Sequence, residues 1–155
     1  MVSPLAFRMK TWLDDRMTQI VPVYVINLDR RTDRMERVAA HLSALGITFH
    51  RISACDATRV AEAELDAVVK ARKGLWEVLS RGDRACTVSH CTAWATFLAS
   101  DASHALFLED DIFLARDTAR ILASSDWIPN RNQAVKLEKF GTGPSRLLLG
   151  KPCGL

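Results

Sequence analysis

No stretch of the chain approaches the roughly 18 consecutive apolar residues needed for a membrane-spanning helix. Nor does the N-terminal segment hold the uninterrupted apolar core of a secretory leader, because Lys10, Asp14, Asp15 and Arg16 break it. Both absences predict a cytoplasmic protein, at most resting on the inner face of a membrane as a peripheral associate. Cysteine is sparse: Cys55, Cys86, Cys91 and Cys153 form no C-x-x-C pair and show no histidine spacing of the zinc-site kind. Reduced, mostly buried thiols are the expectation. A strong charge of one sign is missing too, since 21 basic residues face 18 acidic ones for a net charge of +3. That balance argues against a nucleic-acid partner, although a local basic cluster can still grip phosphates. There is no internal repeat, low-complexity tract or long linker, so 155 residues read as one domain. The hydrophobic fraction of 48% and the charged fraction of 25% are ordinary for a globular protein.

What the chain does have is an acidic cluster directly behind an apolar strand. Ala105-Leu106-Phe107-Leu108 reads as a short strand buried on both faces, the pattern of a central parallel strand, and Glu109-Asp110-Asp111 follows at once. Three adjacent carboxylates repel one another and resist burial, so a countercharge is expected; a hard divalent cation bound through oxygen is the simplest one. In open α/β sheets ligands collect at the carboxyl ends of strands, where these acids would stand. A solvated acidic turn is the plainer alternative.

Upstream, Val21 to Leu28 is a β-branched apolar run and predicts the first core strand. It leads into Asp29-Arg30-Arg31-Thr32-Asp33-Arg34. Asp33 with Glu36 fits an N-cap and its capping-box partner, Met35, Val38, Ala39, Leu42 and Leu45 recur at helical spacing, and Gly46 predicts the stop. Arg30, Arg31 and Arg34 beside a helix start suit anionic oxygens, or form a solvated basic turn. Ile47 to Ile52 predicts a second strand, completing a βαβ unit with a right-handed crossover. His50 within it reads as a packed or edge histidine. Asp56, just past that strand, could accept hydrogen bonds from a ribose or base, or cap the next helix.

Residues Thr58 to Leu79 show a helical pattern broken near Gly74, and Arg81 to Arg84 read as a turn. Ala85 to Leu98 then predicts a largely buried helix with His90 and Trp94 one turn apart, its small polar face (Thr87, Ser89, His90) able to line a cleft. After the acidic strand come a short helix over Ala115 to Ser124 and a turn at Asp126 to Asn130. Ala134 to Glu138 reads as another strand, and a loop follows before Arg146 to Leu149. Residues 1–16 form an N-terminal extension with no assigned role, and Met17 is a second candidate start.

Four segments in this order resemble glycosyltransferase family 25, which includes bacterial lipopolysaccharide galactosyltransferases and relatives of collagen galactosyltransferases. They are Val25 to Arg31 with Arg34, Ile52 to Asp56, Ala85-Cys86 with Ser89-His90 and Trp94, and Ala105 to Asp111; Lys136-Leu137-Glu138 is a weaker fifth. The resemblance implies a GT-A-like, Rossmann-type α/β sandwich with a mostly parallel central sheet flanked by helices. It also implies a metal-dependent transfer of a hexose such as galactose, from a UDP-sugar to a lipopolysaccharide or other glycolipid or saccharide acceptor. Carried over, Asp111 and Glu109 would hold Mn²⁺ or Mg²⁺. Asp110, Asn27, Arg31, Arg34, Asp56 and His90 would contribute to the donor site, as would Glu109 through the ribose.

Two departures stand out. Family members commonly have Asp-Gly where this chain has Asp56-Ala57, which removes freedom to take positive φ. Only 17 residues, 139–155, follow Glu138, where the family carries acceptor contacts and the catalytic base, so no base is assigned. The expectation is therefore one donor-binding domain over 17–155 whose C-terminal part is missing. A non-catalytic nucleotide-sugar-binding remnant is one alternative. A receiver-like Mg²⁺-binding phosphoacceptor domain is another, though its acidic pair would open the chain.

Overall fold

Strand β1, Val23–Asn27, is buried along its whole length. Its Val-Tyr-Val-Ile run carries no charge and is β-branched or aromatic throughout, as a strand covered on both faces requires. It is the middle of a three-stranded, all-parallel sheet of order β2-β1-β3, where β2 is His50–Ser53 and β3 is Leu106–Glu109. The computed structural model describes residues 19–69 and 79–128, together with positions 135 and 137. Among these, the centre of the sheet is β1, whereas the sequence pattern puts the acid-bearing strand there. Leu106 and Phe107 of β3 are only half-buried, because β3 pairs with β1 along one edge.

Side chains alternate across the sheet and sort the core into two layers. Val23, Val25 and Leu108 face helix α1 (Thr32–Ala44) and the short helix α4 (Thr118–Leu122), packing on Val38, Leu42, Ile47 and Leu122. On the other face Tyr24, Ile26 and Ile52 meet Ala93 and Phe97 of α3, Arg81–Leu98. The ring of Tyr24 stacks between His50 and Phe107, its register partners on the two neighbouring strands, with centroids 5.3 and 5.5 Å away. His50 is thus an exposed edge residue whose ring stacks on Tyr24. The result is a parallel sheet with helices on both faces, consistent with a Rossmann-like arrangement.

Several local expectations shift by a few residues. Helix α1 begins at Thr32 behind Arg31, with no side-chain cap; Asp33 is not the N-cap but lies in the first turn, its carboxylate held chiefly by the Arg31 guanidinium at 2.7 Å. The predicted stop holds: Gly46 takes φ +69°, its N–H reaches Ser43 O, and Ile47 N–H reaches Leu42 O at 2.9 Å, which closes the helix and returns Ile47 to the core. The turn expected at Arg81 to Arg84 is instead the first turn of α3. Ser80 accepts from Asp83 N–H at 3.1 Å while Asp83 accepts from Ser80 N–H at 3.1 Å, a reciprocal cap that starts the helix earlier than its apolar periodicity suggests.

Strand β2 is shorter than predicted, and Ile47 to Phe49 lead into it. Of the helix expected over Thr58 to Leu79, the described part is α2, Glu62–Val68. Arg81 and Arg84 bind it through Glu62, and Arg84 also through Asp66. The extension over 1–16, the rest of that helix over 70–78, and the segments around Lys136 and Arg146 lie outside the described residues. No described helix is long and apolar enough to cross a membrane.

Candidate functional site

The alternation that sorts the core also separates the three acids. Leu106 and Leu108 face α1, so Asp110, next in that series, enters the same side. Phe107 faces α3, and Glu109 follows it there. Asp111 sits in the turn beyond β3, exposed. Three consecutive carboxylates therefore have three different surroundings.

Asp110 is the buried one. Its Oδ2 accepts from Asn27 Nδ2 at 2.7 Å, its Oδ1 accepts from Arg34 Nη1 at 3.0 Å, and its carbonyl accepts from Arg37 Nη2 at 3.1 Å. Its countercharge is thus an arginine of the chain itself. Asn27, fully buried at the end of β1, also donates to Arg31 O at 3.0 Å and accepts at Oδ1 from Arg51 Nε and Nη2 at 3.1 and 3.0 Å. Those four contacts use the full capacity of a side-chain amide, so Asn27 acts by holding Asp110, Arg31 and Arg51 in place. Arg51 in turn binds Asp29, whose carboxyl is held below the usual range by Arg51 and then by Ser53.

Each arginine of the basic turn is paired with a carboxylate of the chain. Arg31 donates from Nε and Nη2 to Asp33, a two-point contact that holds the Asp33 carboxyl well below the usual range. Arg34 divides its charge between Asp110 and, at a looser 3.5 Å, the exposed Asp111. Arg30 reaches across to Asp56 at 2.8 Å. Asp56 caps no helix: its Oδ1 accepts from both the backbone N–H and the hydroxyl of Thr58, closing a local turn. Those Thr58 contacts, followed by Arg30, lower its pKa to about 2.

Helix α3 supplies the remaining wall. Ser89 is buried; its hydroxyl donates to Ala85 O at 2.8 Å and accepts from Cys55 N–H at 2.9 Å, tying α3 to the loop after β2. His90, one position on, turns its Nε2 to within 3.4 Å of Glu109 Oε1, and its ring tilts against Trp94. Cys86, one helical turn before His90, brings its sulfur into the same group: the ligand atoms of Cys86, His90 and Glu109 all lie within 4.8 Å of one another. The three described thiols are not mostly buried as expected, since Cys86 is exposed and Cys55 and Cys91 are partly so, all three free. Partial burial, then the charges of Glu109 and Asp83, push the Cys86 thiol above the usual cysteine range.

The structure thus joins Asn27, Arg34, Asp110 and Asp111 into one contiguous network, with Arg31 bound to it through Asn27. His90 and Glu109 form a neighbouring pair on the α3 side, and Asp56 stands apart with Arg30. Sequence reasoning missed Arg51 and Asp29, whose signal is a charged residue inside a short strand and another at the end of its partner. It also assigned no role to Cys86, four residues before His90.

Residues 20–142 match the sequence model of the family described as "Glycosyltransferase family 25 (LPS biosynthesis protein)". The chain is similar to a "Glycosyltransferase 25 family member" of Anopheles gambiae, 26% identical over 113 residues that cover 66% of this chain and 19% of that protein. It is also similar to "Lipooligosaccharide biosynthesis protein lic2B" of Haemophilus influenzae, 25% identical over 105 residues, covering 68% of this chain and 39% of that one. A third relative, "Lacto-N-neotetraose biosynthesis glycosyltransferase LgtE" of Neisseria meningitidis, is 28% identical over 110 residues, with coverage of 70% and 38%. The chain therefore spans between 19% and 39% of the length of these relatives.

Proposed function

Because the chain belongs to glycosyltransferase family 25, we propose that it forms the nucleotide-sugar-binding part of a GT-A-type transferase. The reaction is transfer of a hexose, galactose first among candidates, from a UDP-sugar to a lipopolysaccharide or other cell-surface saccharide. A glycolipid acceptor would bring the protein to the cytoplasmic face of a membrane as a peripheral partner. The observation that carries this reading is a convergence. Asn27 at the end of β1, Arg31 and Arg34 at the start of α1, and Glu109 to Asp111 at the end of β3 meet at one carboxyl edge of a parallel sheet, the position where such folds take ligands.

The donor set fits a hard cation. Glu109 and Asp111 keep 53% and 52% of their side chains exposed, while both Asp110 oxygens are already bonded within the chain. Asp111 with Glu109 would hold Mn²⁺ or Mg²⁺, which would neutralise the charge growing on the departing diphosphate. Arg34 would turn from its loose contact with Asp111 to a phosphate oxygen, while its firmer bond to Asp110 keeps the guanidinium in position. Arg31, at the start of α1, adds its charge to the same anion-binding edge. Asp56, anchored by Arg30, faces the ribose or base, and His90 orients Glu109.

Calorimetric titration with UDP-galactose and UDP-glucose, with and without Mn²⁺, tests the reading. Metal-dependent binding that disappears in Asp111→Ala is the expected result. A folded protein that binds neither nucleotide-sugar under either condition would overturn it.

A further inference from the structure

We propose that Cys86, His90 and Glu109 form a binding site for a borderline-soft divalent cation of the zinc type, separate in its ligand chemistry from the carboxylate pair of the donor reading. Two rules of local geometry bring the three together. Cys86 and His90 are spaced i, i+4 on α3 and so project from one face of the helix. Glu109 follows Phe107 in the alternation of β3 and is directed at that face.

The distances suit an ion. The three ligand atoms lie within 4.8 Å of one another, and His90 Nε2 is 3.4 Å from Glu109 Oε1. Bonds of about 2.0–2.3 Å around a tetrahedral ion separate its ligands by roughly 3.3–3.8 Å, so closure needs only a small side-chain movement at Cys86. The ring of Trp94, 5.9 Å from that of His90 by centroids, flanks the imidazole.

One sulfur, one imidazole nitrogen and one carboxylate oxygen is a set that Zn²⁺, Co²⁺ or Fe²⁺ accepts and that Mg²⁺ or Mn²⁺ does not favour. Three protein ligands leave one position open, the pattern of a zinc ion that binds an exchangeable water or substrate oxygen and not of a closed structural site. Glu109, one of the three ligands, is the last residue of β3. Glu109 also belongs to the hard-cation pair, so under the donor reading, and only there, the two cations compete for one carboxylate.

The test uses the purified full chain, stripped of metal, with Co²⁺ alone and no nucleotide. The expected result is a thiolate-to-cobalt charge-transfer band with the visible absorption of a tetrahedral ion, bleached by Zn²⁺. Cys86→Ser should abolish the charge-transfer band, and His90→Gln should weaken Co²⁺ binding by more than about tenfold, the scale that loss of even a supporting partner reaches. Cys91→Ala and Asp111→Asn should retain the spectrum, the latter whether or not the chain binds a UDP-sugar. Absence of the band in the parent protein, or its survival in Cys86→Ser, would overturn the proposal. So would its loss in Cys91→Ala or Asp111→Asn. Should Cys86→Ser fail to fold, iodoacetamide labelling of the parent protein decides: Zn²⁺ must slow alkylation of Cys86, and an unchanged rate defeats the site.

Discussion

Asn27 donates a 2.7 Å hydrogen bond from its side-chain amide to the carboxylate of Asp110, joining the ends of two parallel strands across 83 positions of sequence. The two are register neighbours of a kind that only parallel pairing provides: Ile26 lies opposite Glu109, so the residues just beyond this pair meet at the sheet's carboxyl edge. Both are buried, and a buried carboxylate without partners would be costly. Here one oxygen takes an amide and the other a guanidinium, and the edge on which a ligand would rest becomes rigid before any ligand arrives.

Asp110→Ala should therefore behave as a stability variant. It leaves the Asn27 amide and one arm of Arg34 without an acceptor, for a loss of about 2–4 kcal/mol. The lower end is expected, since Arg34 retains 35% side-chain exposure and can recover water. Urea denaturation checks this, and Asp110→Asn, which keeps shape and one acceptor, should lose roughly half as much.

Ser89→Ala removes a hydroxyl that serves two backbone groups at once. Ala85 O retains a helical partner, but the Cys55 N–H loses its only acceptor among the described residues. The expected cost is about 1–3 kcal/mol, with faster amide exchange at Cys55 than at neighbouring β2 positions. Unchanged exchange at Cys55 would mean that the hydroxyl does not hold the loop.

How far these relationships were legible in the sequence differs by type. The β1 run, the α1 periodicity and the Gly46 stop follow from local rules and appear as expected, because each depends on residues a few positions apart. The start of α3 was missed because its reciprocal cap outweighs the turn character of Gly82 and Asp83. The acidic triplet was found, but its division was not. Which acid faces α1 and which faces α3 depends on the pairing register of β3, fixed by contacts with residues some 80 positions earlier. The Cys86, His90 and Glu109 group was hidden likewise, since half of it is helical spacing and half is strand alternation.

Under the proposed function, replacing Arg31 and Arg34 together by alanine should weaken UDP-sugar binding and flatten its dependence on salt, since two cations leave the edge assigned to the phosphates. The fold should tolerate Arg31→Ala well, because its two-point contact with Asp33 is exposed on both sides. The double variant carries the additional penalty of freeing Asp110. Calorimetry at low and high salt gives the answer, and equal affinity at both, unchanged from the parent protein, would defeat the assignment.

The last prediction concerns acid. Asp56 accepts two hydrogen bonds from Thr58 and one from Arg30, and its pKa falls from 3.8 to about 2. A carboxyl held below its ordinary value stabilises the folded loop while it is charged. Its contribution is complete above the ordinary value of 3.8, diminishes as pH falls toward 2, and is gone below that. At neutral pH the Asp56 carboxylate is therefore charged, so the loop after β2 should not respond to small acid shifts. Following the Thr58 amide by NMR as pH is lowered should give a midpoint near 2, whereas a midpoint at the ordinary value would show that neither Thr58 nor Arg30 holds the carboxylate. Asp56→Asn should remove the titration and release Arg30, and if that loop borders the donor, nucleotide-sugar affinity should fall while the melting temperature changes little.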